Sequence, residues 1–177
     1  ILAADLSAQI KGWLGVDTGM HRLGFQPEEL AAAYSALKAS RNVHDEIVVT
    51  SHFACADDLN NSATSQQIAT FDNSLPRDST PAMPMTSLAN SAAILAWPEA
   101  QRDWQRPGYM LYGNSPFAEP QANADQLQPV MSFESAVISV REIPAGDSVG
   151  YSANWTAQRQ SHIATVAVGY GDGYPRH

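Results

Sequence analysis

The stretch that decides the fold is Ile47-Val48-Val49-Thr50-Ser51-His52, in which four β-branched residues run directly into two polar ones. Such a run is typical of a strand buried on both faces, as the strands of parallel sheets are. In parallel α/β folds the functional side chains lie where the strands end at their carboxyl edge. We therefore predict a strand over 47–50 and a candidate site residue at His52. Taken alone, His52 also fits a hydrogen-bonded core histidine.

The same order of strand, polar strand end and helix recurs on both sides of this stretch. Residues 12–17 predict a short buried strand, and a Pro with two following carboxylates begins a helix predicted over 27–40. Residues 64–67 have the form of a capping box that begins another helix. A strand over 85–89 then leads into an apolar helix over 92–97. This repetition, at about the spacing of βα units, predicts a parallel α/β fold.

The pattern changes after about residue 128. Runs rich in β-branched residues at 137–140 and 163–168 are separated by a turn at 144–147, and the pattern predicts no helix between them. A complete (β/α)8 barrel takes roughly 250 residues. We therefore predict that residues 1–128 are part of such a barrel. Residues 129–177 are predicted to be the first strands of a C-terminal all-β domain.

Composition excludes several classes of function. The chain has 177 residues and a net charge of −8, which argues against nucleic acid or an anionic membrane surface as partner. Cys55 is the only cysteine, so no internal disulfide is possible and a reducing, cytoplasmic location is expected. No apolar run approaches the roughly 20 residues of a membrane helix. We expect no metal site.

A second candidate site lies at the turn Arg106-Pro107-Gly108-Tyr109. Pro107 has no N–H, and Gly108 lets a ligand approach the backbone closely. The N–H groups of Gly108 and Tyr109 are therefore predicted to be free to bind an anion such as a phosphate. The alternative is an ordinary turn before a strand.

Six segments together resemble bacterial alanine racemases, and the resemblance covers essentially the whole chain. They are residues 16–25, 51–54, 87–91, 103–108, 146–155 and 169–176. The resemblance implies a pyridoxal-phosphate enzyme with an N-terminal α/β barrel, of which residues 1–128 are the C-terminal half, and a C-terminal β domain. It implies interconversion of L- and D-alanine through a pyridoxal-phosphate aldimine, which supplies D-alanine for peptidoglycan. It also implies a homodimer with shared active sites.

The resemblance assigns cofactor contacts to particular residues. Arg106 is expected to donate to the pyridine nitrogen, which makes the ring a poorer electron sink. Arg22 is expected to face the phenolic oxygen and the substrate carboxylate, a contact that suits a guanidinium. The residues expected to hold the phosphate or to lie beside the cofactor are Ser91, Asn90, Gly108 and Tyr109.

The resemblance also implies a catalytic base at Tyr151, which exchanges the α-proton on one face of the substrate from across the dimer. A free tyrosine titrates near 10, so Tyr151 is expected to depend on His52 and Arg106. Judged without the resemblance, Tyr151 also fits a packing residue. The residues that match the corridor through which substrate reaches the site are Tyr170, Asp57 and Arg176.

Two positions depart from the family. The Schiff-base lysine is absent, since Lys11 and Lys38 are the only lysines and neither has the right context. We therefore expect an internal fragment that is inactive alone. Gly15 stands where many members carry a carbamylated lysine that orients the arginine matching Arg22. A chloride ion, a neighbouring carboxylate or a looser Arg22 are the open alternatives.

Three other functions stay open at this point. One is racemisation of another small amino acid, such as serine, on the same scaffold. Another is a single-barrel protein that binds pyridoxal phosphate without racemising, although this explains neither the second domain nor Tyr151. The third is a catalytically dead product that acts only as a structural or dimerising module.

Overall fold

The structure, a computed structural model, describes residues 2–76 and 83–175 of the chain. By its internal contacts the chain divides into two compact units, between Val130 and Met131. None of the helices in these described ranges is both long enough and apolar enough to cross a lipid bilayer.

The first unit is built on three parallel strands in the order β1-β2-β3. They are β1 (Trp13–Gly15), β2 (Val48–Thr50) and β3 (Met85–Ser87). Parallel neighbours need long crossover connections, and helices provide them here. In register, Leu14 lies opposite Val49, and Val49 lies opposite Thr86. The predicted parallel α/β arrangement is confirmed for this unit, with strands shorter than the apolar runs that indicated them.

Three helices accompany the sheet: α1 (Leu30–Lys38), α2 (Ala63–Ser74) and α3 (Ser91–Ala96). A 3-10 turn, Pro27–Glu29, precedes α1, and the Glu29 carboxylate accepts the Gln26 N–H at 3.0 Å. The helix predicted over 27–40 is thus confirmed in its position, with a 3-10 first turn.

The predicted capping box at residues 64–67 is wrong. Helix α2 already begins at Ala63, and Thr64 is a fully buried residue of its first turn. The Asn61 side chain accepts the Ala63 N–H at 2.9 Å, so an upstream residue does the work expected of Thr64. Burial of Thr64 against the core has overridden its local preference for a cap.

The core lies between one face of the sheet and the helices. Leu14 and Val49 point into it from the strands, and Leu30 and Phe71 meet them from α1 and α2. Phe71 and Leu30 are fully buried, and burying such a side chain stabilises by about 1.5–3 kcal/mol. Successive strand residues face opposite sides, so Trp13 lies on the other face and is 47% exposed.

The second unit consists of short antiparallel strands. Strand β4 (Val137–Ile143) pairs with β7 (Ser161–Val166), and β5 (Ser148–Val149) pairs with β6 (Trp155–Thr156). Between residues 131 and 175 the structure describes 3-10 turns but no α-helix. The predicted strand-after-strand pattern is confirmed for this unit.

Candidate active site

Arg106 reaches the edge of the sheet on an extended segment that runs beside β3. Trp104 forms a parallel bridge with Ser87, and the Arg106 N–H donates to the Ala89 carbonyl at 3.0 Å. The Asp103 carboxylate accepts the Thr86 N–H at 2.7 Å, which ties the segment to the strand and lowers the pKa of Asp103. This pairing brings the side chain of Arg106 to the carboxyl ends of the strands.

The Arg106 guanidinium lies in a shell of neutral acceptors. Nη1 donates to the hydroxyls of Thr50, at 2.7 Å, and Ser87, and Nη2 donates to the Ser51 carbonyl. None of the contacts described for this guanidinium is with a carboxylate. Burial lowers the pKa of Arg106 from its ordinary range, although a guanidinium keeps its protons in proteins. The site therefore holds a fixed positive charge that no described partner neutralises.

His52 follows β2 and is half-buried beside that charge. Its Nδ1 lies 3.4 Å from Arg106 Nη2. Because a guanidinium only donates, Nδ1 is the acceptor and the ring proton belongs on Nε2. Burial, and then the charges of Arg106 and Arg22, lower the pKa of His52 below its ordinary value. The imidazole is therefore neutral near pH 7.

The turn after β1 carries Arg22 and is organised by the Asp17 carboxylate. Asp17 Oδ1 accepts the N–H groups of Gly19, Met20 and His21 at 3.0, 3.1 and 3.0 Å. These bonds lower the pKa of Asp17. Asp17 is thus a turn cap, and Arg22 is exposed on the turn that it holds.

Arg22, His52 and Arg106 line one cleft of about 270 Å³, which we name the Arg22 cleft. Its remaining walls include Trp13, Gly15 and Thr50. A Cβ on Gly15 would meet only the Gly24 Cα, at 3.6 Å, so backbone packing alone does not demand glycine there. The structure therefore brings together three predicted site residues from three separate segments.

Ser91 begins α3 and holds the turn that follows Arg106. Its Oγ accepts the Gly108 N–H at 3.0 Å and the Met110 N–H at 3.1 Å. The prediction that the Gly108 N–H is free is therefore wrong, since Ser91 reaches it from the first turn of α3. The alternative of a turn before a strand is wrong too, because Tyr109–Tyr112 form a 3-10 turn.

A second cleft, of about 420 Å³, adjoins this turn, and we name it the Ser91 cleft. It shares His52 and Arg106 with the Arg22 cleft. Asn90 caps α3, its Oδ1 accepting the Ala93 N–H at 3.0 Å. The predicted residues that line this cleft are His52, Asp57, Asn90, Ser91, Arg106, Gly108 and Tyr109.

Tyr151 lies in the second unit and is 93% exposed. The packing alternative for Tyr151 therefore does not hold among the residues described. Its neighbours have unusual backbone, with φ of 78° at Gly150, 63° at Ser152 and 48° at Ala153. Such values are uncommon for residues other than glycine and mark sites of local strain. Tyr170 is also exposed, and Arg176 lies outside the described residues.

Comparison with known proteins gives the family. The sequence profile "Alanine racemase, N-terminal domain" matches residues 2–116, and "Alanine racemase, C-terminal domain" matches residues 130–177. The chain belongs to the alanine racemase family. The alanine racemase of Pseudomonas savastanoi pv. phaseolicola is 49% identical over 174 residues, which are 98% of this chain and 47% of that protein. The alanine racemase of Aliivibrio salmonicida is 47% identical over 97% of this chain and 47% of its own length.

The fold of the alanine racemase family is also found by structural comparison. The crystal structure of biosynthetic alanine racemase from Pseudomonas aeruginosa superposes with a TM-score of 0.88 at 47% identity. It is matched over 99% of this chain and 48% of its own length. This chain thus spans about half the length of the relatives that it matches.

The sequence of this member of the alanine racemase family did not indicate one residue near the site. Gln67 on α2 donates from Nε2 to Thr18 Oγ1 at 3.1 Å and to the His52 carbonyl at 3.0 Å. Its Oε1 accepts the Ala54 N–H at 3.0 Å. The capping-box interpretation of 64–67 had assigned this glutamine to its own helix. Only the fold shows that Gln67 bonds to the segments that follow β1 and β2.

Proposed function

We propose that the full-length protein containing this chain interconverts L- and D-alanine with pyridoxal phosphate and so supplies D-alanine. The observation that carries the proposal is the Arg106 guanidinium. It lies between two clefts, beside His52, and has only neutral groups among its described partners. Both Nη atoms are already bonded, but none of the described contacts uses Nε, so Nε remains to donate to a ligand acceptor such as a pyridine nitrogen.

The residues around the Ser91 cleft fit the cofactor. Because Ser91 Oγ accepts two N–H groups, its own proton remains to donate to a phosphate oxygen. A Cβ built on Gly108 would meet nothing within 4 Å, so this side of the turn is open. The Ser91 hydroxyl and the Tyr109 N–H would hold the phosphate where Gly108 leaves room for it, with Asn90 beside the ring and Arg106 at its nitrogen.

Bound pyridoxal phosphate withdraws electrons from the substrate Cα and thereby acidifies the α-proton. Arg106 would donate to the ring nitrogen without giving up a proton, which would leave that nitrogen unprotonated. The electron withdrawal would then be moderate, and transamination as a side reaction would be limited. Arg22 binds the substrate carboxylate with its planar fork.

The proton itself is exchanged at the Tyr151 phenolic oxygen in this proposal. A tyrosine with an ordinary pKa near 10 is a poor base at neutrality. Because Arg106 occupies Nδ1 of neutral His52, the Nε2–H of this ring would remain to donate a hydrogen bond to the phenolic oxygen. The Schiff-base lysine that the resemblance implies for the opposite face would belong to the full-length protein.

A homodimer with shared sites is the second part of the proposal. Tyr151 is 93% exposed on a turn in which Gly150, Ser152 and Ala153 all have positive φ, a geometry that presents the phenol outward. Such exposure suits a side chain that reaches a partner subunit. Tyr170, Asp57 and Arg176 would line the corridor through which alanine enters.

The remaining architecture follows the same proposal. Residues 1–128 would be the C-terminal half of a (β/α)8 barrel, and residues 129–177 would begin the C-terminal β domain. Trp13 and Trp104, whose ring centroids lie 5.9 Å apart, would then face the rest of the barrel. We place the protein in the cytoplasm.

The test is Tyr151→Phe in the full-length protein. We expect kcat for L-alanine to fall by about 10²–10⁴, as for loss of an acid–base group, while the affinity for pyridoxal phosphate changes less than about threefold. Tyr112→Phe, a change to an exposed tyrosine without an assigned role, is the matched control and leaves both quantities unchanged. An equal loss of turnover and cofactor affinity in Tyr151→Phe contradicts the role.

The same preparation separates the alternative functions. Faster turnover of serine than of alanine by the wild-type protein would replace the substrate assignment. Cofactor binding without turnover of either amino acid would point to a protein that binds pyridoxal phosphate and does not racemise. The optical rotation of each amino acid, followed over time, measures both rates.

A further inference from the structure

The side chain of Gln67 is buried where α2 passes beneath two strand ends. Only 3% of the residue is exposed, and its amide makes three hydrogen bonds to groups outside its own helix. Both amide hydrogens are used, one toward Thr18 Oγ1 and one toward the His52 carbonyl. The amide oxygen accepts the Ala54 N–H. This arrangement needs a side chain that is donor and acceptor at once.

The partners of Gln67 belong to two different loops, which we name the Arg22 loop (residues 17–24) and the His52 loop (residues 51–54). Thr18 Oγ1 also meets Ser51 Oγ at 2.8 Å, so the loops touch directly at this point. A Cβ on Gly19 would lie 3.6 Å from Gln67 Cγ, so the glutamine stem also packs against the Arg22 loop. Gln67 is therefore a clamp between the two loops.

We propose that Gln67 is a positioning residue that sets the placement of Arg22 relative to His52 in the Arg22 cleft. The inference rests on the proposed function, because Arg22 binds the substrate carboxylate there and His52 supports the base. Both loops follow short strands, and Arg22 is itself exposed. Because buried hydrogen bonds to the same helix hold both loops, the distance between the Arg22 and His52 side chains is kept fixed.

Hydrogen exchange in the cofactor-free full-length protein tests the clamp without reference to activity. Gln67→Met keeps the length of the side chain and removes all three hydrogen bonds. We expect faster deuterium uptake in both the Arg22 loop and the His52 loop, by about tenfold for the Ala54 amide, which loses its acceptor. The matched control is Gln66→Met, because Gln66 is an exposed neighbour bonded only to Ser62 among its described side-chain contacts. It leaves both loops unchanged.

Gln67→Glu separates the contributions of the three hydrogen bonds. It also replaces Gln67→Met in the test if that variant does not fold. A carboxylate still accepts the Ala54 N–H, but its second oxygen faces the His52 carbonyl without a proton to donate. The Thr18 hydroxyl can still donate to the carboxylate, so we expect the Ala54 amide and the Arg22 loop to stay protected while the other amides of the His52 loop exchange faster. Uptake that rises only within α2, or equally across the whole protein, would overturn the clamp.

The steady-state kinetics of the holoenzyme then test whether the clamp affects the binding of alanine. A loosened Arg22 weakens carboxylate binding, so KM for alanine is expected to rise about tenfold in Gln67→Met. A role in stability alone lowers the active fraction, which reduces apparent kcat and leaves KM unchanged, and that result would overturn the positioning role. If wild-type protein does not racemise, the proposed function fails while the exchange experiment still decides the clamp.

Discussion

At the scale of single residues, the imidazole of His52 is the group whose chemistry depends most on its surroundings. Burial, Arg106 and Arg22 all lower its pKa below the ordinary 6.5. The unfolded chain therefore binds a proton at this site at a higher pH than the folded protein does. The stability that neutral His52 contributes is complete above pH 6.5 and is lost as the pH falls below that value.

Arg22→Gln tests the electrostatic part of this account. Removing one cation from the Arg22 cleft is expected to raise the pKa of His52 toward its ordinary value, because less repulsion opposes the imidazolium. The measurement is an NMR titration of His52 in the cofactor-free full-length protein. Arg41→Gln is the control, since Arg41 is paired with Asp5 in an exposed salt bridge away from the cleft. A lower or unchanged midpoint in Arg22→Gln would contradict the role of its charge.

At the scale of elements, the turn between β1 and α1 depends on one glycine. Gly24 has φ of 123°, and a Cβ there would lie 2.6 Å from the Asp17 nitrogen. The chain folds back at this point, since Phe25 N–H donates to the Gly15 carbonyl at 2.9 Å and Asp17 N–H donates to the Phe25 carbonyl at 2.8 Å. Only glycine permits both the backbone angle and the close approach.

Gly24→Ala is therefore expected to destabilise the full-length protein by about 2–4 kcal/mol. Gly15→Ala is the matched control, because its Cβ would make only an ordinary contact with Gly24 Cα at 3.6 Å, and we expect a change below about 1 kcal/mol. Urea unfolding of both variants measures the difference. Equal stability of the two variants would show that the turn relaxes around the added methyl group.

The elements also show what the sequence could predict. The β-branched run at 47–50 and the helical period at 30–37 depend on neighbours in the chain, and the structure has a strand and a helix there. The start of α2 was predicted wrongly because burial of Thr64 is a tertiary effect. The bond from Gln67 to Thr18, 49 residues away, leaves no local pattern at all.

The candidate site divides in the same way. The polar end of a strand predicts His52 as a site residue, and the structure places His52 in both clefts. The free N–H predicted at Gly108 is wrong, because Ser91 Oγ accepts it from another segment. That His52 and Arg106, 54 residues apart, lie 3.4 Å from each other follows from sheet topology, which local patterns do not contain. The family resemblance supplied this proximity in advance, because it ordered the segments within a known fold.

At the scale of the whole molecule, the decisive question is whether one active site needs two subunits. The first unit holds Arg22, His52 and Arg106 around its clefts, whereas Tyr151 is exposed in the second unit. The proposed dimer joins the phenol of one subunit to the cofactor site of its partner. Sites shared in this way make a prediction that sites within one subunit do not.

Mixing two inactive variants of the full-length protein tests this sharing. In a heterodimer of Tyr151→Phe with Arg22→Gln, one site combines the intact Arg22 of the first subunit with the intact Tyr151 of the second. The other site carries both substitutions. Random subunit exchange gives about half heterodimers, so about a quarter of the wild-type kcat/KM for alanine should return. The control mixture, Arg22→Gln with His52→Ala, carries both defects on the same unit and should restore nothing. Sites confined to one subunit would give no recovery in either mixture, which excludes a shared Tyr151.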